Sequence, residues 1–304
     1  MQIIATVPSP FSADAIQRIA SHPYVYALRF NTGARSNVPP LQTLAQLLEL
    51  ADGKPIWIDL KGRQMRIIKD ALRRPEIALN HQLRCTHISP SDTIIFRNGV
   101  REGFSTRIVA VSGNKVYVDP IPPEAVGAGQ SVNIHAEGIS AIGYFTTEDK
   151  EYIDAARELG IHNYMLSFVE RKSDITNLLA RDPEANIVLK IESPKGIELI
   201  DRLDFKNNPD LHLMAARDDL LINLPNRIDI IGTTHHMLDL DPGTIVASRI
   251  MTSLLTNYHP SLGDIADMTL LKKQGCYRIM LCDDICSSDV FEEAMDYLIG
   301  WWGR

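Results

Sequence analysis

The chain has 304 residues, 45% of them hydrophobic, and a net charge of −7 from 31 Lys and Arg against 38 Asp and Glu. With no runs of Lys or Arg, this balance argues against a nucleic-acid partner, and no apolar run is long enough to span a membrane. Met1-Gln2-Ile3-Ile4 lacks the basic start and long apolar middle of a secretory leader. The four cysteines (Cys85, Cys276, Cys282, Cys286) show no paired framework, which places the chain in reducing cytoplasm.

In chain order, strands and helices alternate. Residues 3–7 read as a short buried strand broken by Pro8 and Pro10, and Ser12 caps a helix over 13–20. A strand over 24–30 carries Arg29 and Asn31 at its end, an amphipathic helix covers 41–50, and a third strand over 55–58 runs into Asp59. The rhythm then changes. Residues 68–139 hold short strands at 83–88, 92–97, 106–111, 115–119 and 131–135, separated by turn signals such as Ser112-Gly113-Asn114, the mark of a small all-β insertion.

Alternation resumes with a helix at 148–159, a strand at 163–168 and a helix at 175–180. The stretch Ile187-Val188-Leu189-Lys190-Ile191-Glu192-Ser193-Pro194 begins as a fully buried strand, then sets a cation and an anion two positions apart, on one face. Ser193-Pro194 ends it and a helix follows at 197–203. Further strands read at 211–216, 244–247 and 278–281, with a closing helix at 290–301. Eight βα units with one insertion predict an α/β fold, a (β/α)₈ TIM barrel of residues 1–67 and 140–304, with 68–139 as a small β-barrel-like lid after the third strand.

In such a barrel Arg29, Asn31, Asp59, Lys190, Glu192, Asp219 and Ser248, all at carboxyl ends of predicted strands, converge on one mouth, while the opposite ends read as poor in charge. Glu192 and Asp219 are hard oxygen donors suited to Mg²⁺ completed by substrate oxygens and water. Lys190 beside them suits charge developing on a phosphate or enolate, and the planar fork of Arg29 suits a phosphate or carboxylate. The alternative is a structural ion pair at Lys190 and Glu192. Cys282 with Cys286 reads as isolated thiols, His235-His236 as a solvated helix start without a carboxylate at ligand spacing, Arg73-Arg74 as solvated surface, and Trp301-Trp302 as a packing or subunit-contact pair that fits a homo-oligomer.

Five stretches resemble the motifs of the pyruvate kinase family. Asp59-Leu60-Lys61-Gly62-Arg63-Gln64-Met65-Arg66 resembles D-T-K-G-P-E-I-R, Ser167-Phe168-Val169 resembles S-F-[IV], and Lys190-Ile191-Glu192-Ser193 resembles K-I-E-[NS]. Ala216-Arg217-Asp218-Asp219-Leu220 resembles A-R-G-D-L, and Ala247-Ser248 falls where the family has A-T before Q-M-L. The resemblance implies phosphoryl transfer from phosphoenolpyruvate to ADP through the enolate of pyruvate, with Lys190 and Arg29 catalytic and Glu192 and Asp219 holding Mg²⁺. Ala216, Arg217 and Asp218, through their backbone, and the Ser248 hydroxyl would hold the substrate carboxylate, under an insertion that closes over the nucleotide (ADP or ATP).

The chain also departs from the family. Asp218 replaces the glycine of A-R-G-D, Arg249 the glutamine of A-T-Q, and the Ser-His of R-x-N-x-S-H-G is lost or contracted after Asn31. The chain stops at Arg304, where the family continues into a carboxyl-terminal domain. Family members that need K⁺ bind it through residues matching Asn31 and Asp59, and Arg63 beside Gln64 offers a fixed positive charge in its place, so activity without K⁺ is expected. A metal-dependent 2-keto-acid lyase or aldolase of the phosphoenolpyruvate/pyruvate barrels, and a non-catalytic ligand-binding barrel, are the alternatives.

Overall fold

A computed structural model describes residues 1–33, 38–71, 73–98, 101–122 and 126–303. It divides into two compact units, Met1–Leu60 with Glu151–Arg304, and Lys61–Lys150. The expected insertion, 68–139, lies within the second.

The first unit is a closed barrel of eight parallel strands: β1 (Gln2–Thr6), β2 (Val25–Asn31), β3 (Ile56–Leu60), β4 (Asn163–Leu166), β5 (Asn186–Ile191), β6 (Leu211–Ala216), β7 (Ile245–Ala247) and β8 (Arg278–Leu281), each paired with its neighbours in sequence and β8 with β1. Helices alternate with these strands, as in the α/β reading. They are α1 (Ala13–Ser21), α2 (Pro40–Leu50), α3 (Thr147–Glu158), which begins in the second unit, α4 (Lys172–Leu179), α5 (Pro194–Ile200), α6 (Arg217–Asn223), α7 (Ile230–Leu240), α8 (Leu262–Lys273), α9 (Asp283–Ser287) and α10 (Phe291–Trp302). Helices α6 and α7 fill the stretch between β6 and β7, and α8 and α9 are helices that the sequence pattern does not predict.

Inside the barrel the side chains stack in layers because strand residues two apart share a face. Ile4, Met165, Val188, Met214 and Met280 form the apolar middle, packed with Ala27, Ile245, Ala247 and the partly buried Trp57. One step of two toward the carboxyl ends leads to Thr6, Ser167, Lys190 and Ala216; one step toward the amino ends leads to Gln2, Asn163, Asn186, His212 and Arg278. The amino ends are poor in charge but not in polar groups: Arg278, the first residue of β8, is the one fixed charge of that layer, beside His212 and three neutral amides.

The second unit is antiparallel. Its six-stranded sheet runs in the order Met65–Arg66, Ser131–His135, Thr93–Asn98, Arg101–Ser112, Lys115–Asp119 and Glu76–Ala78, with a separate pair formed by Leu83–Cys85 and Ile139–Ala141. Alternate residues of these strands build its own core of Ile77, Ile94, Phe96, Ile108, Val116, Val118 and Val132, which is why the segment reads as short period-two strands. Among the described residues no helix is long and apolar enough to cross a membrane.

Candidate active site

The carboxyl mouth of the barrel gathers charges that are far apart in sequence. β5 is buried along nearly its whole length, and Ser193 ends it by capping α5: its Oγ accepts from Gly196 N at 3.3 Å, with Pro194 at the first helical position. A Cβ on Gly196 would come within 2.9 Å of the Val169 carbonyl, so glycine lets this helix start sit against the loop after β4. The turn fixes where Lys190 and Glu192 emerge.

Lys190 Nζ donates to both carboxylate oxygens of Asp59, at 3.0 and 3.1 Å, and to Ser167 Oγ at 2.8 Å. It lies 3.5 Å from Glu192 Oε1. Sequence set Lys190 beside Glu192; the closer partner is Asp59, brought across from β3. Asp59 also accepts from Arg29 Nε and Nη2, at 2.8 and 2.5 Å, and from Ser167 Oγ at 3.2 Å. Arg29 Nη1 reaches Thr6 Oγ1 at 3.4 Å. Asp59 and Glu192 are both only 2% exposed, so four charged groups share a nearly dry space.

The two buried carboxylates respond in opposite ways. Burial pushes Asp59 up, but Lys190 and Arg29 together outweigh it and hold the carboxyl below its ordinary value. Glu192 is pushed up to about 7: burial raises it most, the charges of Asp219 and Asp59 add to this, and Lys190 and the hydrogen bond from Phe168 N (2.7 Å) offset only part of it. Phe168 donates that bond from a left-handed backbone, φ +51°, a conformation held by its surroundings in a non-glycine residue.

Asp219 sits in the first turn of α6, half-buried, near enough for its charge to act on Glu192. Arg217 is buried and turned away from solvent: its two terminal nitrogens pair with Asp267 at 2.7 and 2.8 Å and Nη2 reaches the Ser248 carbonyl at 3.1 Å. Asp218 is paired with Arg249, Nε to Oδ1 at 2.5 Å. Ser248, Arg249 and Met251 all have left-handed backbones (φ 72°, 58° and 55°), which makes the loop after β7 the most strained among the described residues of the barrel unit. Asn31 Oδ1 accepts from Gly33 N at 3.0 Å, closing a local turn; the residues after Gly33, where the family's Ser-His would fall, lie outside the described set.

Ser167 and Thr6 join the cluster although neither was read as a site residue. Both stand at the carboxyl ends of predicted strands, the signal that picked out Asp59. Arg63, in the second unit, is 8% exposed, with its guanidinium 4.9 Å from the centre of the Tyr144 ring, so it is not a solvated side chain.

The lesser candidates resolve simply. His235 and His236 lie in the middle of α7, not at its start, and each has a carboxylate: Asp239 one turn on at 3.8 Å, and Asp201 at 2.7 Å. No group of three or more His, Cys, Asp or Glu able to hold a metal occurs among the described residues. Cys282 and Cys286 are free thiols, Cys286 in α9 and Cys282 at its start.

No protein-family model matches the chain. Over 296 residues, 88% of the chain and 51% of the relative, it is 24% identical to a pyruvate kinase of Thermoplasma acidophilum. It is 23% identical to a pyruvate kinase of Agrobacterium vitis over 98% of the chain and 66% of the relative, and 22% identical to pyruvate kinase II of Salmonella typhimurium over 68% and 44%. The chain is pyruvate-kinase-like. It spans between about half and two thirds of the length of the first two of these relatives, so what the whole enzymes do passes to it only as a proposal.

Proposed function

We propose that this pyruvate-kinase-like chain catalyses phosphoryl transfer between phosphoenolpyruvate and ADP, and that the cluster of Arg29, Asp59, Lys190 and Glu192 is its reacting centre. The supporting observation is the Lys190 ammonium, held by Asp59 and Ser167 within 3.5 Å of Glu192. A cation gripped from three sides does not need to reorganise when charge develops beside it, which is the condition for electrostatic stabilisation of a transition state.

Glu192 and Asp219 fit Mg²⁺. Burial and their mutual repulsion raise the Glu192 pKa, and a divalent cation would relieve both; two carboxylates leave room for substrate oxygens and water, as magnesium prefers. When bound, the metal supplies charge neutralisation for the transferring phosphoryl group. The chain's own residues do the positioning. Arg29 holds the phosphate, and the backbone at Ala216, Arg217 and Asp218, with Ser248, holds the carboxylate. As the phosphorus–oxygen bond to the enol breaks and a bond to the terminal ADP oxygen forms, Lys190 stabilises negative charge on the enolate oxygen.

The insertion, residues 68–139, serves the nucleotide in this reading. Its own core argues that it folds as a unit, and joining the barrel ends across it with a short linker should leave a cooperatively unfolding protein without nucleotide-dependent activity. The Arg63 charge, in turn, supports activity without K⁺; wild-type turnover that rises from near zero on adding K⁺ would refute this.

One observation favours a second reading, metal-dependent cleavage of a 2-keto acid. Asp218 and Arg249 face each other where the family has glycine and glutamine, so the ground beside Asp219 differs from that of a phosphoenolpyruvate enzyme. ATP formation from phosphoenolpyruvate and ADP by the purified chain, with and without Mg²⁺, separates the two: pyruvate released from a keto acid, without nucleotide turnover, would favour the lyase.

A further inference from the structure

The amino mouth of the barrel holds a cavity of about 280 Å³ to which all eight strands or the turns leading into them contribute. This is close to the lower end of the roughly 300–1,000 Å³ typical of small-molecule sites. Ile4, Ile245, Pro55 and the Trp57 indole give it an apolar floor and side; Gln2, Asn163, Asn186, His212 and Arg278 give it a polar ring.

The ring is already cross-linked. Arg278 Nε donates to Gln2 Oε1 at 2.7 Å and Nη1 to the Gly243 carbonyl at 3.3 Å. Asn186 Nδ2 donates to Asn163 Oδ1 at 3.0 Å, and Asn163 Nδ2 to the Ile56 carbonyl at 3.2 Å. Gly243 leaves room beside it: a Cβ there would crowd Asp241 Oδ1 and His212 Nδ1 at 3.0 Å and Arg278 Nη1 at 3.2 Å.

What is left over is donor capacity and a guanidinium with no ion-pair partner among the described residues. Trp57 Nε1, which can only donate, is buried with no hydrogen-bond partner. No carboxylate among the described residues forms an ion pair with Arg278, and no Asp or Glu lines the cavity. The nearby Asp241 is already occupied, accepting from Leu213 N at 2.9 Å and Gly243 N at 2.8 Å. His212 Nδ1 stands 3.4 Å from Asp241 Oδ2, an ion-pair distance too poorly aligned for a hydrogen bond.

We infer that this cavity binds a small organic carboxylate, its charged end on Arg278 and the Trp57 N–H and its short apolar body against Ile4, Ile245 and the indole. The site is independent of the proposed reaction, since it lies beyond the apolar middle layer from Lys190. A neutral molecule would leave Arg278 without an ion-pair partner inside the cavity, and a bare oxoanion would leave the apolar surface uncovered.

Calorimetry on the full chain tests this with hexanoate, hexanamide and inorganic phosphate. Trp57 emission, read in a Trp301→Phe, Trp302→Phe background, reports occupancy of the cavity. Hexanoate should bind one to one and shift that emission, and hexanamide should bind about tenfold or more weaker, the worth of a charge-assisted hydrogen bond. Arg278→Gln should abolish binding. Trp57→Phe, which keeps a ring and removes only the donor, should weaken it several-fold with the melting transition preserved, so the claim survives even if Arg278→Gln fails to fold. Absence of binding at millimolar hexanoate, or binding untouched by Trp57→Phe, would overturn the inference. Phosphate binding as tight as hexanoate would overturn the apolar half of it.

Discussion

The two ends of the barrel interior are built from the same strands, one step of two residues above and below a shared apolar layer, yet their charges are arranged differently. At the carboxyl end each buried cation has a buried anion: Arg29 and Lys190 meet on Asp59, and Lys190 also faces Glu192. At the amino end Arg278 leans on neutral groups, Gln2 and a backbone carbonyl. The first arrangement holds Lys190 stiffly among counter-charges, fit to meet charge that develops during a reaction; the second leaves Arg278 fit to pair with charge that a ligand brings with it. The contrast teaches that a polar layer in a barrel is not a site by composition alone, and that where its counter-charges lie decides what it can do.

The sharpest break of that contrast is removal of Asp59. Asp59→Ala leaves Arg29 and Lys190 buried without their shared partner, and breaking a buried pair this way costs about 3–5 kcal/mol. The urea midpoint should fall accordingly. A change no larger than that of a surface substitution would show that water compensates the two cations and that the carboxyl end is less dry than its exposure values say.

Next in size is Lys190→Met. Turnover should drop by a factor on the order of 10² or more while Mg²⁺-dependent ligand affinity changes little, because the ammonium acts on charge that develops in the transition state. An unchanged rate would remove Lys190 from the chemistry.

The carboxylates give a pH test. Glu192, pushed up to about 7 in the folded chain, contributes stability that is full below its ordinary pKa and is lost as pH rises through 7. Asp59, held low, contributes stability above its ordinary pKa that is lost only as pH falls through its depressed one. Without Mg²⁺, stability in urea should therefore decline from pH 5 to pH 8, recover when Mg²⁺ is added at pH 8, and lose most of this slope in Glu192→Gln. A flat profile in the wild type would mean that Glu192 titrates as it does in solution.

Much of this was legible in the sequence. The βα alternation, the period-two insertion and the polar residues at carboxyl strand ends all follow from local patterns, and Arg29, Asp59, Lys190 and Glu192 do come together. The pairing did not follow. Lys190 and Glu192 are neighbours in sequence, whereas Asp59 reaches Lys190 from 131 positions away, and only strand order and register place it there. The amino-end ring was overlooked for a related reason. Gln2-Ile4-Thr6, Asn163-Met165-Ser167, Asn186-Val188-Lys190 and His212-Met214-Ala216 share one polar–apolar step pattern across four strands, but it means nothing until the strands close and the first residues of each meet. Left-handed backbones at Phe168, Ser248 and Arg249 have no local signal, since none of them is glycine.

The smallest expected effect concerns Asp218 and Arg249. An extra carboxylate beside Asp219 would by itself repel an incoming substrate carboxylate, and its removal in Asp218→Gly would then help phosphoenolpyruvate bind. The structure pairs that carboxylate with Arg249 at 2.5 Å, with the arginine side chain 60% exposed. The pair is close to neutral as a unit, and exposed pairs of this kind are worth only about 0.2–1 kcal/mol. Asp218→Gly should therefore change KM for phosphoenolpyruvate by no more than about fivefold, the ratio that 1 kcal/mol corresponds to. Arg249→Gln, which leaves Asp218 bare beside the substrate, should raise KM more than Asp218→Gly changes it. The double substitution should fall back toward the wild type, because it removes the repelling and the neutralising charge together. Additive effects in this cycle would show that the two side chains do not act as a pair, and that the carboxyl end carries an uncompensated charge after all.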